Sequence, residues 1–393
     1  MTNFRPISQS NMTKLQLIVI QTDLPKYDIP LLERIACLDG IELTVLADIE
    51  TERQLNQYKK GLDQFTAVHV GTVSFGGLIL RPGLFRVIRS LKPGVVVICG
   101  SPREVSQLLV LLWCKLTGVP VGVWGMFHRI GPKRFASETY MRIVGKLGDV
   151  MLSYAEHGRR EQMRRGISND KIVVLGTAID QQSIIAVRDK VSDEEVARFR
   201  VTQNLSGKKV LLHVVRLTSI KRADLTLRCL ARIVEDRQDV QLVLIGGGPL
   251  EAEMKALAAE LRVSEFVRFL GPIYDENTLA LWFKNADVFV MATCIGLSIH
   301  HAMCYGVPVV TDDSPLTQAS EFEALVDNET GLTYRAGDLD DYASKVCRLL
   351  DDPELRRRLS AGALKRIESE YTIDRKAKNF ELAIRRLADM RRS

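Results

Sequence analysis

Two stretches in the second half of the chain decide the fold: Arg216-Leu-Thr-Ser-Ile-Lys221 and Gly296-Leu-Ser-Ile-His-His-Ala-Met-Cys-Tyr-Gly-Val-Pro-Val-Val310. Each stretch follows an apolar run typical of a strand and leads into a segment typical of a helix. Open parallel α/β sheets bind their ligands beyond the carboxyl ends of such strands. Both stretches therefore indicate a ligand site at the edge of a parallel sheet.

The residue types in the two stretches favour a bound diphosphate. Arg216 offers a planar fork of donors and Lys221 a compact positive charge. The backbone N–H groups near Gly296, Leu297 and Ser298 would open a helix, where an anion is favoured and a glycine lets the chain approach closely. A surface Arg–Lys pair or an ordinary glycine turn would explain either stretch alone. Together they predict a site for a nucleoside diphosphate.

Further motifs stand in order around these stretches. They are Gln241-Leu-Val-Leu-Ile-Gly-Gly-Gly-Pro249, Val267-Arg-Phe-Leu-Gly-Pro-Ile273, Ala286-Asp-Val-Phe-Val290 and Thr330-Gly-Leu-Thr-Tyr334. The ordered set covers at least residues 208–372 and resembles the retaining glycosyltransferases of family 4, which have the GT-B fold. Within that family it is most similar to transferases of surface-polysaccharide assembly. The resemblance implies two Rossmann-like, doubly wound α/β domains that face each other across a cleft.

The rest of the chain is consistent with two such domains. Its 393 residues suffice for both, and each half alternates short β-rich runs with helical segments. We expect a first, acceptor-side domain over residues 1–190, a linker over 191–207 with a helix near Asp193 to Thr202, and a nucleotide-sugar-binding domain over 208–371. By resemblance, a terminal helix over 372–393 crosses back to the first domain through Phe380, Leu382, Ile384 and Leu387. The alternative is a helix packed on its own domain.

A nicotinamide-dependent Rossmann enzyme is the main competing fold. After the first predicted strand the chain reads Gln21-Thr-Asp-Leu-Pro-Lys26. The glycine pattern that binds a dinucleotide is missing there, which argues against that class.

The resemblance assigns roles in the second domain. Arg216 and Lys221 match the family's diphosphate-binding pair, expected to stabilise the leaving group without a metal or other cofactor. Gly296, Leu297 and Ser298 match its phosphate loop, and Gly247 and Gly248 are expected to let the chain pass close to the donor or the cleft. No side chain stands out as a general base, which suits retention with the leaving phosphate removing the acceptor proton.

One part of the family pattern is altered. Two glutamates eight positions apart usually contact the donor sugar and the ribose, but Thr293 and His301 stand at those positions. A neutral His301 can still hydrogen-bond a ribose hydroxyl, and Thr293 can accept from a sugar hydroxyl. Either Glu321 or Glu323 is a candidate to replace the missing glutamate at the ribose. The alternatives are solvent exposure for these carboxylates, and packing for one of His300 and His301.

On the first-domain side, His128 ends the predicted strand in Val123-Trp-Gly-Met-Phe-His-Arg129. It resembles the family histidine that lies near the reacting sugar, although a lone histidine often has a structural role. Arg129 and Lys133 are alternative phosphate contacts. We therefore expect His128 to face the cleft and to act in catalysis.

Charge is uneven along the chain, which has a net charge of +6. Residues 1–190 hold 25 Lys and Arg against 17 Asp and Glu, and the remainder holds 29 against 31. The basic first half could attract an anionic membrane surface or a phosphorylated acceptor. The densest cluster is Arg159, Arg160, Arg164 and Arg165, for which a solvated helix face is the alternative. Nucleic acid is disfavoured because stacking aromatics do not accompany the basic residues.

The location expected from the sequence is the cytoplasm, with possible peripheral attachment to the cytoplasmic face of a membrane. Seven cysteines without a CxxC pair are typical of reduced thiols. The first apolar run, residues 15–20, is too short for a signal-peptide core, and the longest apolar region, residues 108–124, is interrupted. No metal site is indicated, since the single Asp-x-Asp, Asp338-Leu-Asp340, is better explained as a helix start.

These observations predict a glycosyltransferase, and the resemblance implies that it retains the anomeric configuration. It would move a sugar from a nucleoside-diphosphate sugar to a saccharide or lipid-linked acceptor, in cell-surface polysaccharide or glycolipid assembly. A sugar phosphorylase and a nucleotide-sugar epimerase are the enzyme alternatives. A non-catalytic scaffold that binds nucleotide sugars is the third alternative.

Overall fold

The computed structural model of the chain describes residues 14–49, 64–131 and 135–391. The first domain is built on a seven-stranded parallel sheet, and a short antiparallel hairpin precedes its fourth strand in the chain. The strands in chain order are β1 (Leu15–Asp23), β2 (Ile41–Asp48), β3 (Thr66–His69), the hairpin strands β4 (Val73–Phe75) and β5 (Leu78–Leu80), β6 (Val95–Cys99), β7 (Val121–Gly125), β8 (Val150–Ser153) and β9 (Ile172–Val174). The order across the sheet is β3-β2-β1-β6-β7-β8-β9.

Helices cover both faces of this sheet. They are α1 (Ile29–Ala36), α2 (Leu84–Leu91), α3 (Val105–Thr117), α4 (Phe135–Leu147) and α5 (Glu156–Arg164). One face packs against α1 through Leu31, Leu32 and Ile35. The other packs against α2, α3 and α4. The central strands are nearly continuous apolar runs because both of their faces are buried.

The second domain has a six-stranded parallel sheet. Its strands are β10 (Lys209–Val214), β11 (Val240–Ile245), β12 (Val267–Phe269), β13 (Val288–Val290), β14 (Val309–Asp312) and β15 (Gly331–Tyr334). Its helices are α6 (Gln181–Lys190), α7 (Asp193–Thr202), α8 (Ala223–Asp236), α9 (Glu251–Glu260), α10 (Glu276–Asn285), α11 (Ser298–Cys304), α12 (Leu339–Asp351) and α13 (Pro353–Ser369). The terminal helix, α14, spans Ile373–Met390.

The strand order of the second sheet determines where a ligand can bind. That order is β12-β11-β10-β13-β14-β15, so the chain runs outward from β10 to β12 and then returns to β13 at the other side of β10. Adjacent strands whose connections leave in opposite directions open a crevice at their carboxyl ends, and ligands bind there. Arg216 follows β10 and Gly296 follows β13. The two stretches singled out in the sequence therefore flank this crevice.

The terminal helix α14 packs on the first sheet, opposite α2 to α4. Phe380 meets the indole of Trp124 edge to face, with ring centres 5.4 Å apart. Ile384 and Leu387 are fully buried in the same core. The prediction for Leu382 is wrong, because this side chain lies on the outer side of the helix and is half exposed.

The boundary between the two domains lies before residue 190. Helix α6, assigned from the sequence to the first domain, packs against α10 and α11 of the second. Ile184 and Leu205 are buried in the second-domain core. The linker of residues 191–207 is thus also part of that domain, with α7 at the predicted position. The polar, weakly periodic sequence hides this packing because α6 buries only Gln181 and Ile184, and no residue of α7 is fully buried.

Within the described part of the chain, no helix is both long and apolar enough to cross a membrane.

Candidate functional site

The segment after β10 presents two cations to the crevice. Arg216 is exposed and has no hydrogen bond or ion pair with any described residue. Lys221 donates from Nζ to the carbonyl oxygen of Cys294 at 2.5 Å, which fixes it against the loop after β13. One cation is held in place and the other is free to meet a ligand.

Lys221 and Gly296 lie next to each other. A Cβ atom built on Gly296 would stand 3.4 Å from Lys221 Nζ, in van der Waals contact with the ammonium group. The backbone N–H groups of Gly296, Leu297 and Ser298 donate to no acceptor among the described residues. The two sequence stretches thus meet in space as a group of donors, and such a group can hold an anion.

The glycine run after β11 supports the cation-bearing segment from behind. A Cβ atom on Gly246 would lie 1.8 Å from the carbonyl oxygen of Val215, and one on Gly248 would lie 2.4 Å from that of Leu217. Leu217 in turn donates from its backbone N–H to Gly247 at 3.0 Å. These glycines allow two backbones to pack closely, and through that packing they position the segment of Arg216. Direct contact of Gly247 and Gly248 with a donor stays a prediction.

Thr293, at the first altered position, is buried and engaged internally. Its hydroxyl donates to the carbonyl oxygen of Thr317 at 3.1 Å. Asp312 lies in the same cluster, and burial raises the pKa of its carboxyl. The Thr293 hydroxyl therefore holds the loop after β14 rather than standing free in the crevice.

His301, at the second altered position, forms a pair with a carboxylate that the sequence analysis missed. Its Nε2 lies 2.8 Å from Glu276 Oε1, and the Tyr305 hydroxyl donates to the same oxygen at 3.1 Å. The imidazole stacks on Phe283 with ring centres 4.7 Å apart. Glu276 is the first residue of α10. Acidic residues are common at helix starts because they interact favourably with the helix dipole, so the sequence offered no reason to assign Glu276 a functional role.

The neighbouring His300 is a core residue, as one alternative anticipated. It is fully buried, its Nε2 lies 3.3 Å from the hydroxyl of Thr177, and burial lowers its pKa to about 3. His300 is therefore neutral near pH 7 and joins α11 to the segment between the domains.

Glu323 contacts the other domain. Its carboxylate accepts hydrogen bonds from the backbone N–H of Glu156 at 2.9 Å and of His157 at 2.6 Å. These N–H groups open helix α5, where a carboxylate is favoured by the dipole and by the unsatisfied donors. The expectation that Glu323 is a free ribose ligand conflicts with this engagement. A contact between residues so far apart in the chain leaves no local pattern.

Glu321 remains available to a ligand. It lines a cavity of about 290 Å³ between the domains, together with Asp28 and Lys376. Burial raises the pKa of Glu321, and the nearby charges of Lys221 and Lys376 oppose that rise. Of the two predicted carboxylates, Glu321 is the one that is influenced by the charge of Lys221.

Lys376 was also missed. It is buried on α14, and its Nζ lies 5.4 Å from the centre of the Tyr154 ring. Burial lowers its pKa, while Asp28 and Glu321 oppose the fall. The sequence did contain a signal of this burial. Lys376 lies between Ile373 and Ala377 on the apolar stripe of an amphipathic helix, and a lysine is rarely buried there unless nearby acidic groups compensate its charge.

His128 lies at the cleft, between the two domains. Its Nδ1 is 3.1 Å from the Met126 carbonyl oxygen, and its Nε2 is 3.3 Å from that of Gln318 in the second domain. Burial lowers the pKa of His128. The neutral ring donates to only one of these carbonyls at a time. Gln318, absent from the predictions, is buried and accepts from the backbone N–H of Ile295 at 2.8 Å, linking His128 to the loop before Gly296.

Two larger cavities meet at His128. One, of about 600 Å³, lies between the domains and is lined by Tyr154, Gln318 and Arg366 among others. The other, of about 470 Å³, lies mainly in the first domain and includes Ile220 from the cation-bearing segment. Arg129 lines this second cavity, and its Nε is buried without a partner among the described residues. Lys133, the other predicted phosphate contact, lies outside the described residues.

The cluster of four arginines is largely neutralised. Arg165 is buried and forms a two-pronged pair with Glu138, with N···O distances of 2.9 Å. Arg159 pairs with Glu156, and Arg164 pairs with Glu161. Of the four, only Arg160 is exposed without a close ion pair; its nearest carboxylate oxygen among the described residues, on Glu323, is 4.0 Å away. This helix is not the free basic patch that the sequence suggested.

No cluster of three or more His, Cys, Asp or Glu side chains suited to a metal ion is present in residues 14–49, 64–131 and 135–391.

Known proteins resemble both the sequence and the fold. Residues 196–366 match the family model described as "Glycosyl transferases group 1". A D-inositol 3-phosphate glycosyltransferase of Thermomonospora curvata is 32% identical over 181 residues, which are 42% of this chain and 41% of that protein. A GDP-mannose-dependent monoacylated alpha-(1-6)-phosphatidylinositol monomannoside mannosyltransferase of Corynebacterium glutamicum is 29% identical over 170 residues, 40% of this chain and 42% of that protein.

The matched regions thus span less than half of these relatives. Across nearly the whole chain the likeness is structural. Anabaena Alr3699/HepE in complex with UDP superposes with a TM-score of 0.75 at 15% identity, over 94% of this chain and 99% of that one. The predicted fold of two Rossmann-like domains facing across a cleft, the GT-B arrangement, is confirmed.

Proposed function

We propose that the protein is a glycosyltransferase that uses a nucleoside-diphosphate sugar. The observation that carries this proposal is the contact of Lys221 with Gly296, which brings a fixed ammonium group and three unpaired backbone donors together. Arg216 follows the same strand as Lys221 and is exposed. The match of residues 196–366 to group 1 glycosyl transferases supports it, because this region contains the whole donor group.

The donor group suits the departure of a diphosphate. As the bond from the anomeric carbon to the phosphate oxygen breaks, negative charge grows on the diphosphate. Arg216 and Lys221 stabilise that charge with the amides of residues 296–298, so the step requires no metal ion. We assign to Glu321, whose carboxyl is influenced by the charge of Lys221, the role of accepting a hydrogen bond from a hydroxyl of the donor.

The acceptor site lies on the first-domain side. The cavity of about 470 Å³ reaches Ile220 and His128, so an acceptor held there would face the donor group. Its lining is mostly apolar, and its charged members are Arg129 and the Arg165–Glu138 ion pair. Because that pair neutralises itself, Arg129, whose Nε lacks a partner in the described part of the chain, is the charge left to bind an anionic group such as a phosphate. This favours an amphiphilic acceptor with a phosphate. The phosphatidylinositol monomannoside in the name of one relative is an acceptor of this chemistry.

We propose retention of configuration. The acceptor oxygen then bonds to the anomeric carbon on the face that the diphosphate leaves, and the acceptor proton passes to the departing phosphate oxygen. His128 is positioned to orient the sugar or the acceptor rather than to remove that proton, because both ring nitrogens face carbonyl oxygens. Assembly of a cell-surface glycolipid or polysaccharide, at the cytoplasmic face of a membrane, is the process that this acceptor class serves.

The test has two stages. The purified protein is first heated with UDP, GDP, dTDP, ADP or CMP, with and without magnesium. Stabilisation by one diphosphate in either condition is expected, because a ligand that binds only the folded state raises the melting temperature.

The matching nucleotide sugar is then supplied with and without phospholipid and saccharide acceptors. Nucleotide release that depends on an acceptor supports the transferase. Product formation that needs inorganic phosphate indicates a phosphorylase, and a changed donor sugar without acceptor indicates an epimerase. Binding without turnover across the acceptor panel indicates a scaffold, and any of these three results overturns the proposal.

A further inference from the structure

One face of the first domain carries apolar side chains that no part of the described structure covers. Helices α2, α3 and α4 pack side by side on the same face of the sheet, and the hairpin of β4 and β5 packs against α3. We name the outer surface of these four elements the basic apolar face.

Helix α3 is apolar on its outer side as well as its inner side. Val110, Leu111 and Cys114 enter the core. On the opposite side Leu109, Leu112 and Leu116 form a stripe with exposures of 45%, 41% and 88%. A helix that is apolar all round is normally covered on both sides. A partner for the outer stripe is therefore expected.

The stripe continues onto the neighbouring elements. Phe75 of the hairpin is 81% exposed and Phe135, at the start of α4, is 89% exposed. Ile143 of α4 is also exposed. Aromatic and aliphatic side chains spread over adjacent elements mark an interaction surface rather than isolated surface residues.

The fully exposed charges of the face have one sign. Its two acidic residues are both paired: Glu104 is fully buried in an ion pair with Arg81 at 3.0 Å, and Glu138 of α4 is partly buried in an ion pair with Arg165 at 2.9 Å. The exposed charged side chains of α2, α3 and α4 are Arg86, Arg89, Lys115, Arg142 and Lys146. Of these, only Lys115 has an acidic partner among the residues that the structure describes, namely Asp149.

We propose that the basic apolar face docks the protein onto a bilayer surface that contains anionic lipid. Apolar side chains then enter the interface while arginine and lysine meet the headgroup phosphates. A second copy of the chain fits less well, because two such faces would bring like charges together. An anionic surface supplies the opposite charge that the face lacks.

The location of the cavity near His128 connects this face to the acceptor. Ser137 and Met141 line that cavity from the same helix that carries Phe135 and Ile143 outward. If the proposed function holds, on which this step rests, docking would hold the cavity at the bilayer surface, where the headgroup of a lipid-linked acceptor lies. Docking itself requires neither donor nor acceptor.

The experiment is sedimentation of the full chain with vesicles of phosphatidylcholine alone or mixed with phosphatidylglycerol, without nucleotide. Binding to the mixed vesicles only, reduced by high salt, is expected. Arg86→Gln with Arg89→Gln should weaken it by about fivefold for each charge removed. Leu109→Gln, Leu112→Gln and Leu116→Gln together should weaken it by about tenfold or more.

Two variants serve as matched controls. Leu382→Gln changes a leucine that is 46% exposed on α14, at the opposite face, and Arg232→Gln changes an exposed arginine of the second domain. Both should bind vesicles as the parent does. If the triple leucine variant misfolds, vesicle binding by the arginine-pair variant and the salt dependence of parent binding still test the proposal.

Equal binding to both vesicle types, absence of binding, or an arginine-pair variant that binds like the parent would overturn the proposal. So would a stable dimer that the leucine changes dissociate without any vesicle binding. Vesicle binding without sugar transfer would leave docking standing and remove the proposed function. Sugar transfer to a soluble acceptor without vesicle binding would support the proposed function and overturn the docking proposal.

Discussion

Glu323, in the second domain, accepts a hydrogen bond at 2.6 Å from the backbone N–H of His157, in the first turn of a first-domain helix. The adjacent N–H of Glu156 donates to the same carboxylate at 2.9 Å. A side chain of one domain thus caps a helix of the other. The relative position of the domains depends on this cap, since it is satisfied only while the cleft keeps its present width.

Replacing Glu323 by Gln should loosen the cleft. The amide keeps one acceptor oxygen but loses the charge that the helix N-terminus favours, at a cost of about 1 kcal/mol. We expect a melting temperature lower by a few degrees. We also expect a larger radius of gyration in X-ray scattering.

The control for this change is Glu329→Gln, at an exposed glutamate of the same domain. It should leave both quantities at their parent values. Identical scattering and melting for the two variants would contradict the role given to Glu323.

Removal of the free cation should weaken nucleotide binding. For Arg216→Ala we expect a loss of about 1.5 to 3 kcal/mol in the affinity for a nucleoside diphosphate, because a charge-assisted contact disappears. Calorimetric titration measures this loss. Arg232→Ala, an exposed arginine on α8, is the control and should bind like the parent. Parent-like affinity of Arg216→Ala would remove Arg216 from the site.

Two glycine variants should separate binding from folding. In Gly296→Ala the added methyl group meets only Lys221 Nζ at 3.4 Å, so the fold should persist while diphosphate binding weakens several-fold. In Gly248→Ala it would lie 2.4 Å from the backbone oxygen of Leu217, and the domain should be destabilised by more than about 1 kcal/mol. Nucleotide titration and chemical denaturation of both variants check this, and equal losses of stability would be inconsistent with it.

Stability should fall in mild acid because of a buried histidine. His213 is fully buried with its Nδ1 at 2.7 Å from the Val290 carbonyl oxygen, and burial lowers its pKa to about 4. Between pH 6.5 and about 4 the unfolded chain binds a proton that the folded protein excludes. His213 therefore removes up to about 1.4 kcal/mol of stability per pH unit as the pH falls through this window, and nothing above it.

His213→Asn keeps a donor near Val290 but does not titrate. It should lower stability at pH 7, where the smaller side chain packs less well, and flatten the decline between pH 6.5 and 4. Denaturation at several pH values measures both effects. A variant curve parallel to that of the parent would show that His213 does not contribute.

The sequence predicted the meeting of Lys221 and Gly296 for a physical reason. Each follows a strand of one parallel sheet, and the carboxyl ends of parallel strands share an edge. The apolar runs that form the strands can be recognised in the sequence without knowledge of any contact. The fold could therefore be predicted from the sequence as well. The sequence also predicted which side of α14 is buried. Leu382 is the exception, because it lies at the margin of the apolar stripe.

The contacts between domains were not predictable in the same way. Glu323 reaches a helix start 166 positions earlier in the chain, and His301 pairs with Glu276 from another helix. Such pairs depend on the orientation of whole elements, and neither partner belongs to a local pattern. The same holds for Lys376, whose burial is compensated by Asp28 and Glu321 from two other segments.

The most direct test of the account is a crystal structure with the nucleoside diphosphate that most stabilises the protein. We predict the diphosphate in the crevice after β10 and β13, with Arg216 and Lys221 within about 3 Å of its oxygens and the N–H groups of residues 296–298 turned toward it. A nucleotide bound elsewhere on the chain, or a diphosphate that contacts neither cation, would contradict the account.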